Sequence, residues 1–596
     1  MAGSFRRGRG CVRLLCMQRI LFLLGVPVAW VSGWQEAEPA ARQAAPAPQY
    51  EQARPLVVTK HGIVAASNFL ASQAAAKILE QGGNAVDAAI AANAMTGLVQ
   101  PFVNGVGGDL FAIIYEARTG KIYGLNASGW APKALTLDWV RERNVRLNER
   151  TKKLEGLSVH TVTVPGCVAG WHALRERFGS KPLAELLAPA IFYAENGFAL
   201  SAVSARSLVQ RRYLQQPGFK ETYLAAGERP QTGDVFRNPA LAETLRRIAA
   251  QGRDGFYKGE LAERMVRFLR EQGGAHALED FAEFQPEWVA PISTTYRGWT
   301  VYELPPNGQG IAALSMLNIM ERFPLADYGQ NSAAALHVMI EAKKLAYADM
   351  ERYVGDPRFT PAPVEQMLSK ELAAERARQI DMRKASCRVL PSELKESLAA
   401  KGSDTIYLSV VDRDGNIVSL IQSNYGGYGT GLVAPGAGFT FHNRGASFDI
   451  EPGKPNSLAG RKRPLHTIIP GLMKKDDTVI GFGIMGGWNQ SQAHAQFVSN
   501  VADFGMNVQQ ALEAPRFTKT TFDGCDVQIE SRIPENIRVE LQRRGHVVQP
   551  AAPYAGVFGF GSAVVFDSKR KVQMAGTDPR VDGAAALEMP SFPVKR

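Results

Sequence analysis

The stretch TIYLSVVDRDGNIVSLIQS, residues 405–423, limits the possible folds of this chain more than any other segment. Two runs of apolar and β-branched residues flank an Asp-Gly pair, which tolerates the backbone angles of a two-residue hairpin turn. An antiparallel strand pair therefore lies about two-thirds of the way along. Centring the turn on Asp414-Gly415 places Thr405, at the start of the first strand, opposite Asn424. A slip of one residue brings Ser423 or Tyr425 there instead. A hydroxyl at a strand start, with polar side chains on the neighbouring strand, can serve chemistry; a plain surface hairpin is the competing reading.

Upstream of this hairpin the texture is helical. SQAAAKILEQGG has apolar spacing near 3.6 residues and a glycine stop, NAVDAAIAANAMTGLV opens on an Asn cap, and a strand-like GIVAAS precedes both. Further helical runs fall around 181–195, 239–250, 258–272 and 332–351, and short β-rich runs follow residue 405. The pattern implies α/β or α+β layering, with helices covering sheets.

Other features narrow the class. The formal charge of +11 is partly a property of the start, where five arginines in residues 1–40 face Glu36 and Glu38. The rest is spread without basic blocks, so nucleic acid is not an expected partner. ILFLLGVPVAWVSG, behind Arg13 and Arg19, reads as the apolar core of an export signal over residues 1–33; it is short for a stable membrane span. Residues 34–55, rich in Ala, Pro and Gln, read as a flexible linker, with order expected from about Leu56. The expected location is periplasmic or secreted. Beyond the leader, Cys167, Cys387 and Cys525 are an odd number without C-x-x-C spacing, so a disulfide framework is not expected. Neither HExxH nor a Cys/His zinc pattern occurs, and the glycine runs GVGGD and GGYGTG read as turns.

TVIGFGIMGGWNQSQ reads as an apolar strand, a Gly486-Gly487 turn and a helix capped near Asn489 or Ser491. Two glycine amides just before a helix N-terminus suit an oxyanion hole, although such a turn is often only a turn.

Taken in order, GGNAVDAAIAANAMTGLVQPFVNGVGGDLF (82–111), VPGCVAGWHALRERFGSKPLAELLAPAIFYAENGF (164–198), DTIYLSVVDRDGNIVSL (404–420), YGTG (428–431), KRPLHTIIP (462–470) and GGWNQSQ (486–492) resemble the gamma-glutamyltransferase (glutathione hydrolase) family. That resemblance implies an α+β fold of N-terminal nucleophile hydrolase type, a four-layer αββα sandwich built jointly by two subunits. It implies a precursor that cuts itself between Asp404 and Thr405, giving a large subunit of residues 56–404 and a small catalytic one of residues 405–596. The freed Thr405 supplies both nucleophile and, through its α-amine, base. Gly486 and Gly487 hold the oxyanion, and Ser423 matches a hydroxyl that bonds the nucleophile. No cofactor is required. The partners are a small-molecule amide donor and water or an amine acceptor.

The substrate anchors depart from the family pattern. Tyr425 stands where family members place a substrate-contacting Asn, with Asn424 as an alternative polar contact. Ser128 replaces an Arg that holds the donor's α-carboxylate, Ser447 replaces an acid that holds its α-amine, and His466-Thr467 replace two serines. Arg444 or Arg463 is available to stand in. The resemblance thus implies transfer of a γ-glutamyl or related acyl group from an amide such as glutathione. A cephalosporin or glutaryl amide acylase is the alternative within the enzyme class, and a non-catalytic exported ligand-binding scaffold the alternative outside it.

Overall fold

Leu408, Val410, Val418 and Leu420 alternate along the 405–423 hairpin with Tyr407, Val411, Ile417 and Ile421, and the two sets face different apolar layers. A strand buried on both faces needs a second layer on each side, which is why these runs are almost continuously apolar. In the computed structural model, which describes residues 50, 52–224, 227, 229–394 and 405–591, the hairpin lies in the middle of a seven-stranded sheet. Its order is Ala584–Leu587, Ile63–Ala66, Ile406–Val411, Ile417–Ser423, Asp109–Glu116, Lys121–Ala127 and Glu287–Val289, antiparallel throughout. A second antiparallel seven-stranded sheet runs Val57–Thr59, Val572–Thr577, Gly561–Asp567, Thr478–Ile484, Gly471–Lys475, Trp299–Glu303 and Ile292–Tyr296.

Between the sheets, Phe111, Ile113, Tyr407, Val411 and Ile417 meet Leu472, Val479 and Val564. The outer face of the first sheet is covered by helices that include Phe69–Glu80 and Ala85–Val99. The second is covered by Gly310–Met320, Ala333–Tyr353 and Gln490–Ala502. The result is the expected αββα sandwich. Both sheets combine strands from either side of residue 404, so neither half could complete its sheets alone.

Local chemistry sets the helix boundaries. The Asn68 side chain accepts from Leu70 N–H, and Asn84 and Asp87 form a reciprocal capping box. The expected helices appear as Leu183–Asn196, Pro239–Gln251, Gly259–Glu271 and Ala333–Tyr353.

Two expectations need comment. Ala53 and Arg54, in the expected linker, donate backbone N–H bonds to the Glu513 carboxylate, and Arg54 also bonds the carbonyls of Asp578 and Gly583. The remainder of the linker up to Gln49, the leader, and Asp404 lie outside the described residues. The expectation of no disulfide is corrected: Cys387 and Cys525 are bonded, with Cα atoms 4.6 Å apart across a sequence separation of 138. An odd cysteine count obscured the pair because Cys167 is a buried free thiol. Among the described residues no helix is long and apolar enough to cross a membrane.

Candidate active site

The hairpin turn determines what Thr405 faces. Asp412 accepts from Gly415 N–H through its carbonyl and donates its own N–H to Asn416 O, while its carboxylate takes the amides of Asp414 and Asn416. Gly415 adopts φ 87°, so the loop is the three-residue Arg413–Gly415 and not the two-residue turn that Asp-Gly suggests. Val411 pairs with Ile417 and Ile406 with Gln422, and the same register sets Thr405 against Ser423. Asn424 is therefore not the residue opposite. It turns away, donating its backbone N–H to Val103 O and its side-chain amide to Pro101 O.

Thr405 is fully buried, and its hydroxyl has defined partners. Its Oγ1 lies 3.4 Å from Ser423 Oγ, to which it donates, and accepts from Gln490 Nε2 at 2.8 Å. Ser423 Oγ in turn accepts from Tyr425 N–H at 2.8 Å. Gln490 opens the helix that follows the glycine pair, and its Oε1 accepts from Ile469 N–H at 3.1 Å. Gly486 and Gly487 have φ 130° and 62°, angles that favour glycine, and Asn489 N–H closes the turn on Gly486 O at 3.0 Å. Gln309 Nε2 ties Gly487 O, at 2.7 Å, to Thr467 O, at 2.6 Å. Two glutamines therefore stitch the glycine turn to the 466–469 segment and to the threonine. Sequence reasoning missed both, although Gln490 lies within the GGWNQSQ motif.

Ser423 pairs across the sheet with Asp109, the last residue of GVGGD. Gly108 is needed there for close approach: a Cβ on it would press on Ser423 O and Asn424 Oδ1. Asp109 Oδ2 accepts from His466 Nε2 at 2.9 Å and Arg444 Nε at 3.2 Å, with His442 Nδ1 also 3.2 Å away, and Oδ1 accepts from Gly129 N–H. Burial alone would raise this carboxyl; the contacts with His442 and His466 outweigh it and hold Asp109 well below the usual carboxylate range. Burial, followed by the charge of Arg444, pushes His466 down to about 3. A neutral His466 fits its bonds, donating from Nε2 to Asp109 while Nδ1 accepts from Ile468 N–H.

Arg444 Nη1 donates to Thr467 Oγ1 at 2.7 Å, and its guanidinium lies 4.3 Å from the centre of the Tyr425 ring. The structure thus gathers Thr405, Ser423, Tyr425, Arg444, His466 and Thr467 around Asp109. Ser128 borders this group through Gly129, but it is fully buried and its Oγ is engaged with Asn126 and Asn307. Ser447 is likewise buried, donating to Leu465 O. Arg463 makes an ion pair with Glu287 and donates to Gln285 O.

A possible metal-ligand set lies elsewhere, where His337, Glu341 and His546 bring one donor atom each within 4.8 Å. Lys344 Nζ is already 2.6 Å from Glu341 Oε1, so an ammonium supplies the positive charge.

The gamma-glutamyltranspeptidase family model matches residues 71–588. The chain belongs to that family. It is an enzyme of the gamma-glutamyltranspeptidase group, with the sandwich of N-terminal nucleophile hydrolases. It is 35% identical over 535 residues to the glutathione hydrolase-like YwrD proenzyme of Bacillus subtilis (strain 168), covering 89% of this chain and 99% of that protein. It is also 35% identical over 542 residues to the oxamate amidohydrolase proenzyme of Klebsiella pneumoniae subsp. pneumoniae, with the same coverage. Among solved structures, cephalosporin acylase from Bacillus halodurans superposes with a TM-score of 0.82 at 40% identity, over 92% of this chain and 99% of the acylase.

Proposed function

We propose that this gamma-glutamyltranspeptidase-family enzyme is an exported, self-processing acyltransferase or amidohydrolase, with Thr405 as its N-terminal nucleophile. The observation that carries the reading is the Thr405 hydroxyl, which starts a central strand between Ser423 Oγ and Gln490 Nε2. In the self-cleavage step Thr405 Oγ1 attacks the carbonyl carbon of Asp404, the peptide C–N bond breaks to give an ester and the free Thr405 α-amine, and water then hydrolyses the ester, releasing the Asp404 carboxylate and restoring the Thr405 hydroxyl. That amine, with a reference pKa of about 7.7–8.0, takes the hydroxyl proton when the enzyme attacks its donor amide. Gly486 and Gly487 N–H groups stabilise the tetrahedral oxyanion, the amine half of the donor leaves with the proton, and the acyl-enzyme passes to water or an acceptor amine.

The donor is a γ-glutamyl or related acyl amide, and acyl groups lacking the α-amine are preferred. An α-ammonium buried without an opposing charge costs several kcal/mol. Here the carboxylate of the cluster, Asp109, is already shared by His442, His466 and Arg444, and Ser447 stands where the family's acidic contact falls. Arg444, stacked on Tyr425, is the cation we assign to a donor carboxylate. The names of two relatives, an oxamate amidohydrolase and a cephalosporin acylase, agree with a donor outside the γ-glutamyl class. The leader and the Cys387–Cys525 disulfide support an oxidising, periplasmic or extracellular location.

The test compares kcat/KM for γ-glutamyl and glutaryl p-nitroanilides, which differ only in the α-amine. The glutaryl compound is expected to react faster. A strong preference for the γ-glutamyl compound would overturn the donor assignment.

A further inference from the structure

Cys387 stands upstream of the proposed cut and Cys525 downstream of it. We propose that Cys387–Cys525 is an interchain disulfide of the mature enzyme, joining the C-terminal arm of the large chain covalently to the small chain; the inference rests on processing at Thr405.

The surrounding contacts hold the two cysteines in register independently of the bond. Gly524 N–H donates to Cys387 O at 2.9 Å, and Ala385 N–H donates to Arg544 O at 2.6 Å, so both sides of Cys387 are tied to the segment that becomes the small chain. On the large-chain side Ser386 is clamped by the Ala333–Tyr353 helix: its N–H donates to Glu341 Oε2, and its carbonyl accepts from Lys344 Nζ. Cys387 therefore meets Cys525 at a point where both future chains are fixed. Cys525 is buried while Cys387 is exposed, so a small reductant can reach the bond from one side.

A chain of contacts also joins the link to the glycine turn. Cys387 lines a cavity of about 700 Å³ together with Arg388, Lys454 and Phe522. Phe522 packs edge-on against Trp488, the residue after Gly487, with ring centres 5.2 Å apart. The tether thus secures a wall that leans on the glycine turn.

Forming the bond removes two electrons and two protons from the thiols and passes them to a disulfide of the oxidising compartment, which becomes two thiols. Self-cleavage adds one water across the 404–405 peptide and leaves the S–S bond intact.

The experiment uses full-length protein purified from an export compartment, alkylated with iodoacetamide and run on denaturing gels with and without dithiothreitol. One band without reductant and two with it is the expected result, and tryptic mapping should recover a linked peptide containing Cys387 and Cys525. Cys387→Ser should give two bands under both conditions, with Cys525→Ser as a second variant. Two bands from the wild type without reductant would overturn the interchain link while leaving self-cleavage standing. A single band under both conditions would show that the chain is not cut, overturning the processing and the interchain character together.

Discussion

Asp109 shows how one residue can organise a site that its sequence context does not announce. It ends a glycine run that reads as a turn, and only the cross-strand pairing with Ser423 reveals that it lies behind the proposed nucleophile, Thr405. Its partners His442, Arg444 and His466 are more than 300 residues away in sequence, so no local periodicity could connect them. Motif order and strand position single out Thr405, Ser423 and the glycine pair as candidates, whereas Gln309 and Gln490 act through bonds that only the fold creates. Removing the charge of Asp109 leaves Arg444 buried without its carboxylate partner, and breaking a buried pair from one side typically costs about 3–5 kcal/mol. Asp109→Asn is therefore expected to lower the melting temperature markedly and to reduce turnover in whatever protein folds. Thermal denaturation followed by circular dichroism checks it; a wild-type melting temperature would show that the cluster does not depend on this carboxylate.

The hairpin 405–423 is the element that aims the proposed nucleophile, and its register depends on the single residue Asp412 that closes the loop. Asp-Gly correctly signals a hairpin, but the side chain of Asp412 captures the amides of Asp414 and Asn416 and enlarges the turn by one residue, which exchanges Asn424 for Ser423 opposite Thr405. The strands themselves were readable from their apolar runs; the register was not, because it is decided by competition between side-chain and backbone acceptors. Gly415 has φ 87°, and a Cβ there would run into the Phe566 ring of the facing sheet. Gly415→Val combines backbone strain with a clash, mechanisms that each cost about 1–3 kcal/mol. The variant is expected to melt earlier and to process more slowly, as read from the fraction of uncut chain over time after synthesis. Unchanged processing would mean that the turn does not control the placement of Thr405.

At the scale of the whole molecule, the two sheets mix strands from both sides of residue 404, so a cut there would leave two chains that share both sheets. That layering was legible from the alternation of helical and strand patterns, but the order of strands, with the hairpin inserted between Ile63–Ala66 and Asp109–Glu116, was not, because it depends on long-range pairing. The fold also buries titratable groups in their neutral form. Burial pushes His276 down to about 4 and His466 to about 3. The unfolded chain protonates each below about 6.5, so across the window from there to the lowered values the unfolded state binds more protons. Each group then removes up to about 1.4 kcal/mol of stability for every pH unit of acidification. Asp109, with its lowered pKa, adds loss in the same direction below the ordinary carboxylate range. The melting temperature is expected to be level above pH 7 and to fall steadily from pH 6.5 to 4.5; a flat profile over that range would contradict the assignment of neutral buried histidines. The central claim is that Thr405 becomes an N-terminal nucleophile, and intact mass spectrometry of the purified enzyme, reduced and mixed with a slowly turned-over glutaryl amide, tests it most directly. The account predicts a chain with the mass of residues 405–596, gaining one glutaryl group that maps to Thr405, and no cut in Thr405→Ala. An uncut chain that still turns over the amide, or an acyl group on another residue, would contradict it.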